Sequence, residues 1–154
     1  LALDIAAGRG RHSFALAKNG YRVVAVDFSS AACAANAARA RIESQPVLPV
    51  LGDLANFPIR RSCYDLILNV NFLDRRLFPS TLEGMRPRGF LLVDTYLVDQ
   101  ASIGHPRNPD FLLRRGELRD LMSGLTILEY REGLIRYPKG DRAYRASALA
   151  RKGD

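Results

Sequence analysis

The sequence predicts an α/β protein built on one mostly parallel sheet, with a single antiparallel strand inserted late in the chain. Three observations carry this. Short apolar runs alternate with helical patterns over most of the length, which is the signature of βαβ units with right-handed crossovers. The early runs are apolar throughout, as expected of strands covered on both faces. The last two runs alternate polar and apolar residues and flank a short Pro-Lys-Gly-Asp connection, Pro138 to Asp141, so they form an antiparallel hairpin.

Each element follows in turn. LALDI, Leu1 to Ile5, is a strand that enters the small-residue turn AAGRG. HSFALAKNG is a helix stopped by Gly20. YRVVAVD, Tyr21 to Asp27, is a β-branched strand, and Ser29 or Ser30 caps the Ala-rich helix that runs to about Glu43. VLPVL, Val47 to Leu51, is a third strand whose Pro49 puts it at a sheet edge. YDLILNV, Tyr64 to Val70, is a fourth, deeply buried strand. A helix around Phe78 to Arg86 leads through a Pro-Arg-Gly turn into a fifth strand, Gly89 to Leu97. GELRDLMSG is a helix ended by Gly124, and LTILEYREG and RAYRASALAR make the hairpin.

Composition narrows the function classes. At 154 residues, 47% hydrophobic and 25% charged, the chain has the length and balance of one globular domain, residues 1–154. No run approaches the ~20 apolar residues of a membrane span. Because the chain opens inside a strand, a native N-terminal segment is expected to precede Leu1. Cys33 and Cys63 lack the spacing of a metal site or a disulfide framework, so they are expected to be buried or half-buried thiols in a reducing cytoplasm, with no metal. The formal net charge is +7, and only three of the 23 basic residues, Lys18, Lys139 and Lys152, are lysines. The arginines are scattered in pairs such as Arg60-Arg61 and Arg75-Arg76, without a basic stripe interleaved with aromatics. A nucleic-acid partner is therefore possible but not favoured.

The most informative segment is LDIAAGRG. Asp4 ends the first strand, and Gly8 and Gly10 would let a ligand approach the backbone at the switch point where open α/β sheets bind nucleotides. Asp27 ends the next strand, about twenty residues on, where a carboxylate accepts from the two hydroxyls of a ribose. In GDL, Asp53 follows the third strand and can accept from an adenine amino group, with the backbone N–H of Leu54 serving a ring nitrogen. Acids at three consecutive strand ends point to an adenosine ligand. A dinucleotide site needs G-x-G-x-x-G facing a pyrophosphate. Here the pattern is D-x-A-x-G-x-G, and the preceding acid suits a cationic amino-acid tail.

LDIAAGRGR, VVAVDFS, GDL and YDLILNVNFL together resemble successive motifs of the class I S-adenosylmethionine-dependent methyltransferases, over almost the whole chain. The resemblance implies a Rossmann-like, doubly wound sheet of seven strands in the order 3-2-1-4-5-7-6. It also implies that S-adenosyl-L-methionine is held by Asp4, Ala6, Gly8, Gly10, Asp27, Phe28, Asp53, Leu54 and Asn69. Ala6 replaces the family's usual first glycine, which is tolerated if φ is negative there. NFLDRRLFP and GHPRNPDFLLRRGEL are similar to the bacterial tellurite-resistance and thiopurine-type group. That places Asn71, Phe72 and Arg75 at the acceptor, with Arg75 attracting an anion, and puts the Pro-Arg-Asn-Pro loop on the substrate rim. Asp94 and Tyr96, near the end of the fifth strand, are within reach of the same cleft. His12 and His105 lack partners at a convincing spacing, and no general base is identified.

The expected activity is methyl transfer to a small thiol, metalloid oxyanion or similar nucleophile, by a monomer or homodimer. The alternatives are an RNA methyltransferase, a non-catalytic cofactor-binding module and, more remotely, an NAD-dependent oxidoreductase.

Overall fold

The central strands of the sheet are the ones with the most continuous apolar character. β1 (Ala2–Ile5) is buried along its whole length, and it pairs in parallel with β2 (Val23–Asp27) on one side and β4 (Tyr64–Val70) on the other. β3 (Val47–Leu51) continues the sheet beyond β2 and forms its edge, where Pro49 costs the least pairing. On the far side, β5 (Met85–Tyr96) lies parallel to β4, and β7 (Arg142–Arg151) runs antiparallel between β5 and β6 (Thr126–Arg136). The order is β3-β2-β1-β4-β5-β7-β6, as expected. A computed structural model describes residues 1–138 and 140–154, so Lys139 of the hairpin connection lies outside the described residues.

The period of two along the strands sorts side chains onto two faces. Ala2, Val23, Ala25 and Val47 pack with Phe14 and Ala17 of α1 (Arg11–Lys18), and α2 (Ser30–Ile42) runs beside β3. Leu3, Ile5, Val26, Ile67, Leu91 and Val93 point the other way and form the larger core. Its cover comes from α3 (Phe78–Gly84), α4 (Glu117–Leu121) and the connection between β5 and α4.

Three local expectations are corrected. The helix before β5 ends at Gly84 rather than Arg86, because Met85 already pairs with Tyr64. Pro87, Arg88 and Gly89 do not make a turn ahead of the strand; they form an irregularity within it. The register jumps from Tyr64↔Met85 to Leu66↔Phe90, with Arg88 at φ +63°. The helix within GELRDLMSG is confined to Glu117–Leu121. Cys33 and Cys63 are half-buried free thiols. Among the described residues no helix is long and apolar enough to cross a membrane, and no cluster of ligating side chains could hold a metal.

Candidate active site

The turn after β1 is shaped by left-handed backbone. Ala6, Gly8 and Gly10 have φ of +54°, +52° and +71°. The φ at Ala6 is positive, so the condition under which an alanine is readily tolerated there is not met, and its Cβ costs roughly 1–2 kcal/mol. Gly8 and Gly10 serve different ends. A Cβ on Gly8 would meet nothing within 4 Å, so this glycine opens the turn toward a cleft. A Cβ on Gly10 would lie 2.7 Å from Asn36 Oδ1 and 3.0 Å from Phe14 Cε2, so this glycine lets Asn36 of α2 and Phe14 of α1 pack closely against the turn.

Asn36 is a residue of the site's framework that sequence reasoning missed. It is buried in α2, and its Nδ2 donates to the Gly8 carbonyl at 2.9 Å, which fixes the turn from behind. A lone amide in an Ala-rich helix was the available signal.

The strand-end acids have separate roles. Asp4 is only 2% exposed and accepts from the Ser13 hydroxyl at 2.5 Å. Burial raises its pKa to about 6, against the lowering effect of the Ser13 hydrogen bonds. Its carboxyl therefore anchors the first turn of α1 through Ser13. Asp27 is buried at the end of β2. Its Oδ2 accepts from Gly8 N–H at 2.7 Å and its Oδ1 from Ser29 N–H at 2.9 Å. Each carboxylate oxygen retains a further lone pair for a ligand. Beside it, Phe28 is 81% exposed.

Neighbouring residues Asp27 and Phe28 line two different clefts. One, about 650 Å³, is lined by Gly8, Asp27 and Ser29. The other, about 540 Å³, is lined by Phe28, Asp53, Leu54, Phe72 and Arg75. Asp53 also closes its own turn, accepting from Ala55 N–H and from Asn56 Nδ2, both at 3.0 Å. Asn69 sits at the end of β4, 4% exposed, with an Oδ1 that finds no partner.

The three expected acceptor residues do not come together. Phe72 and Arg75 line the cleft beside Phe28, whereas Asn71 faces a third cleft of about 820 Å³ at the ends of β4 and β5. Arg75 is moreover committed elsewhere. Nε and Nη2 bind Glu117 at 2.5 and 3.0 Å, Nη1 donates to the Asp110 carbonyl and Nη2 to the Leu112 carbonyl. Its charge locks the segment after β5 in place, while its side chain still lines the cleft beside Phe28. The third cleft instead holds Arg145, a cation the sequence did not single out, together with Asp94 and Tyr96. His105 is exposed in its loop, and His12 is half-buried, its pKa lowered by burial and by Arg11.

This fold and this turn define a class of protein: the chain belongs to the methyltransferase domain family, whose model matches residues 2–87. Its structure resembles TehB from Haemophilus influenzae with a TM-score of 0.84 at 23% identity, over 98% of this chain and 57% of that one. It resembles a methyltransferase from Methanosarcina mazei, described as S-adenosylmethionine-dependent, with a TM-score of 0.79 at 18% identity, over 99% and 92% of the two chains. A third is the 1,6-didemethyltoxoflavin N1-methyltransferase of Burkholderia thailandensis, solved with that compound and S-adenosylhomocysteine bound. Its TM-score is 0.74 at 21% identity, over 99% and 71%. The chain thus spans 57% of the length of TehB. No curated protein matches the sequence at a significant level.

Proposed function

We propose that this domain binds S-adenosyl-L-methionine and transfers its methyl group to a small-molecule nucleophile. The observation that carries the reading is Asp27: a buried carboxylate at the end of β2, oriented by the Gly8 and Ser29 N–H groups, beside a phenylalanine that is 81% exposed. The residues fit the cofactor. The outer lone pairs of Asp27 suit the two ribose hydroxyls, and the Phe28 ring offers an apolar surface that a bound nucleoside would cover. Asp53 and Leu54 line the adjoining cleft, where an adenine edge needs one acceptor and one donor. The open Gly8 turn leaves room for the amino-acid tail.

When bound, the cofactor supplies a sulfonium methyl for in-line displacement. The chain's own contribution is orientation and exclusion of water, and holding two reactants in position is worth roughly 7–11 kcal/mol. A thiolate or oxyanion acceptor arrives with its lone pair free, so the reading requires no general base. The small-molecule reading is favoured over RNA because the arginines are scattered in pairs without a basic stripe interleaved with aromatics. Nine of them, including Arg61, Arg75, Arg86, Arg115 and Arg145, share their charge with a carboxylate.

Calorimetric titration tests this. S-adenosylmethionine or S-adenosylhomocysteine should bind, and Asp27→Ala should weaken binding by about 1–3 kcal/mol, the range for a charged hydrogen bond. Binding of NAD in its place would overturn the reading. Tight RNA binding that falls steeply with salt, accompanied by RNA methylation, would replace the acceptor class.

A further inference from the structure

Arg145 occupies an unusual position for an arginine. It lies on β7 opposite Tyr96 of β5, is 7% exposed, and its guanidinium stacks on the Tyr96 ring at 4.3 Å. Nε donates to Asp94 Oδ1 at 2.7 Å, and Nη2 donates to Asn71 Oδ1 at 2.6 Å and to the Asp94 carbonyl at 3.1 Å. Three residues on two segments, Asp94 and Tyr96 of β5 and Asn71 after β4, therefore fix the plane of one side chain. Among the described residues Nη1 has no acceptor, yet it is not sealed in the interior, because Arg145 lines the 820 Å³ cleft.

The cleft around it is suited to a particular ligand chemistry. Arg11, Arg142 and Arg145 face Asp94 and Asp141 there, and a ligand carrying one negative charge would balance the set. Leu68, Val70 and Leu92, on neighbouring strands, give the cleft one apolar wall, while His12, Asn71 and Gln100 add polar groups elsewhere in its lining. A volume of about 820 Å³ is in the range of sites for drug-sized ligands and far larger than an inorganic oxyanion fills. The cleft opens at the carboxyl ends of β4 and β5, next to the first residues of α1, and so adjoins the turn that carries Gly8.

We propose that this cleft is the acceptor site and that it takes an organic acid, whose carboxylate binds Nη1 of Arg145 while its apolar body lies along β4 and β5. This rests on the methyl-transfer reading above and assigns its substrate class. Asn71 and Asp94 act as positioning residues, since they hold the guanidinium through its other nitrogens. A fixed, stacked fork loses little conformational freedom on binding a carboxylate.

The test is calorimetric titration of the whole chain with 3-mercaptobenzoate and with its methyl ester, each with and without S-adenosylhomocysteine. The acid should bind at least tenfold more tightly than the ester, and Arg145→Gln should abolish that preference while leaving the affinity for S-adenosylhomocysteine unchanged. Arg145→Gln leaves Asp94 without its partner and risks misfolding. The double variant Arg145→Gln/Asp94→Asn removes both charges and should show the same loss of preference. Equal binding of acid and ester, binding of neither, or a preference that survives both variants overturns the proposal. If the acid is preferred but S-adenosylhomocysteine does not bind, the carboxylate site stands and the methyl-transfer reading fails.

Discussion

Arg75 and Glu117, 42 positions apart, meet through two parallel hydrogen bonds, and the same guanidinium reaches the carbonyls of Asp110 and Leu112. One side chain thus ties the loop after β4 to the segment that crosses above the large core.

Because Glu117 is largely buried, removing its partner strands a carboxylate. Arg75→Ala should destabilise the fold by roughly 2–4 kcal/mol in urea titration, somewhat below the cost of breaking a fully buried pair. It should leave the kcat/KM ratio between competing acceptors unchanged. The pair also sets a pH window. The Arg75 hydrogen bonds lower the Glu117 pKa from 4.5 to about 2, so this stability is complete above pH 4.5 and is lost as pH falls toward 2. A change in acceptor preference in Arg75→Ala would assign this residue a substrate role as well.

Asp4 behaves in the opposite sense. Its folded pKa, about 6, lies above the unfolded value of 3.8, so the native state holds a proton that the unfolded chain releases. Stability should therefore fall by about 2–3 kcal/mol as pH rises from about 4 to about 6, then level off. Asp4→Asn keeps an acceptor for Ser13 and should remove this decline. Urea titrations of both proteins at pH 4, 5, 6 and 7 would reveal it as a stability difference that grows with pH. A constant difference would mean that Asp4 titrates normally.

Asn36 offers a test of turn geometry separate from ligand contact. Its Nδ2 holds the Gly8 carbonyl from the far side of the turn. Asn36→Ala should cost about 1–2 kcal/mol in stability by leaving that carbonyl unpaired. It should also weaken S-adenosylhomocysteine several-fold, although it touches the turn only from behind. Unchanged cofactor affinity would show that the turn holds its shape unaided.

The parts legible in the sequence were those set by local pattern. Strand polarity separated the buried parallel strands from the hairpin, Pro49 marked the edge, and Asp27 was placed by its position at a strand end. The parts that were not legible depend on pairing between distant segments. Arg145 sits at an inward position of an alternating strand, but only the register Tyr96↔Arg145 reveals that it stacks on an aromatic and meets Asp94. Arg75 looked like a free cation because its partner follows 42 residues later. The irregularity at Pro87 to Gly89 read as a turn because local chemistry is the same in both, and only pairing with β4 distinguishes them.

The two glycines of the turn should separate stability from binding. Both have positive φ, so an alanine at either position carries roughly 1–2 kcal/mol of backbone strain. At Gly10 the added Cβ would also press against Asn36 and Phe14, both buried, so Gly10→Ala should be the more destabilising by a further 1–3 kcal/mol. At Gly8 the new methyl group points into open space, so the fold should lose only the strain. That space is the side of the turn assigned to the cofactor's amino-acid tail, and Gly8→Ala should weaken S-adenosylhomocysteine at least tenfold. Thermal melts and calorimetry on the two variants check this together. If Gly8→Ala bound S-adenosylhomocysteine as well as the wild type, the tail would have to lie elsewhere, and the open turn would be only a way for the chain to pass from β1 to α1.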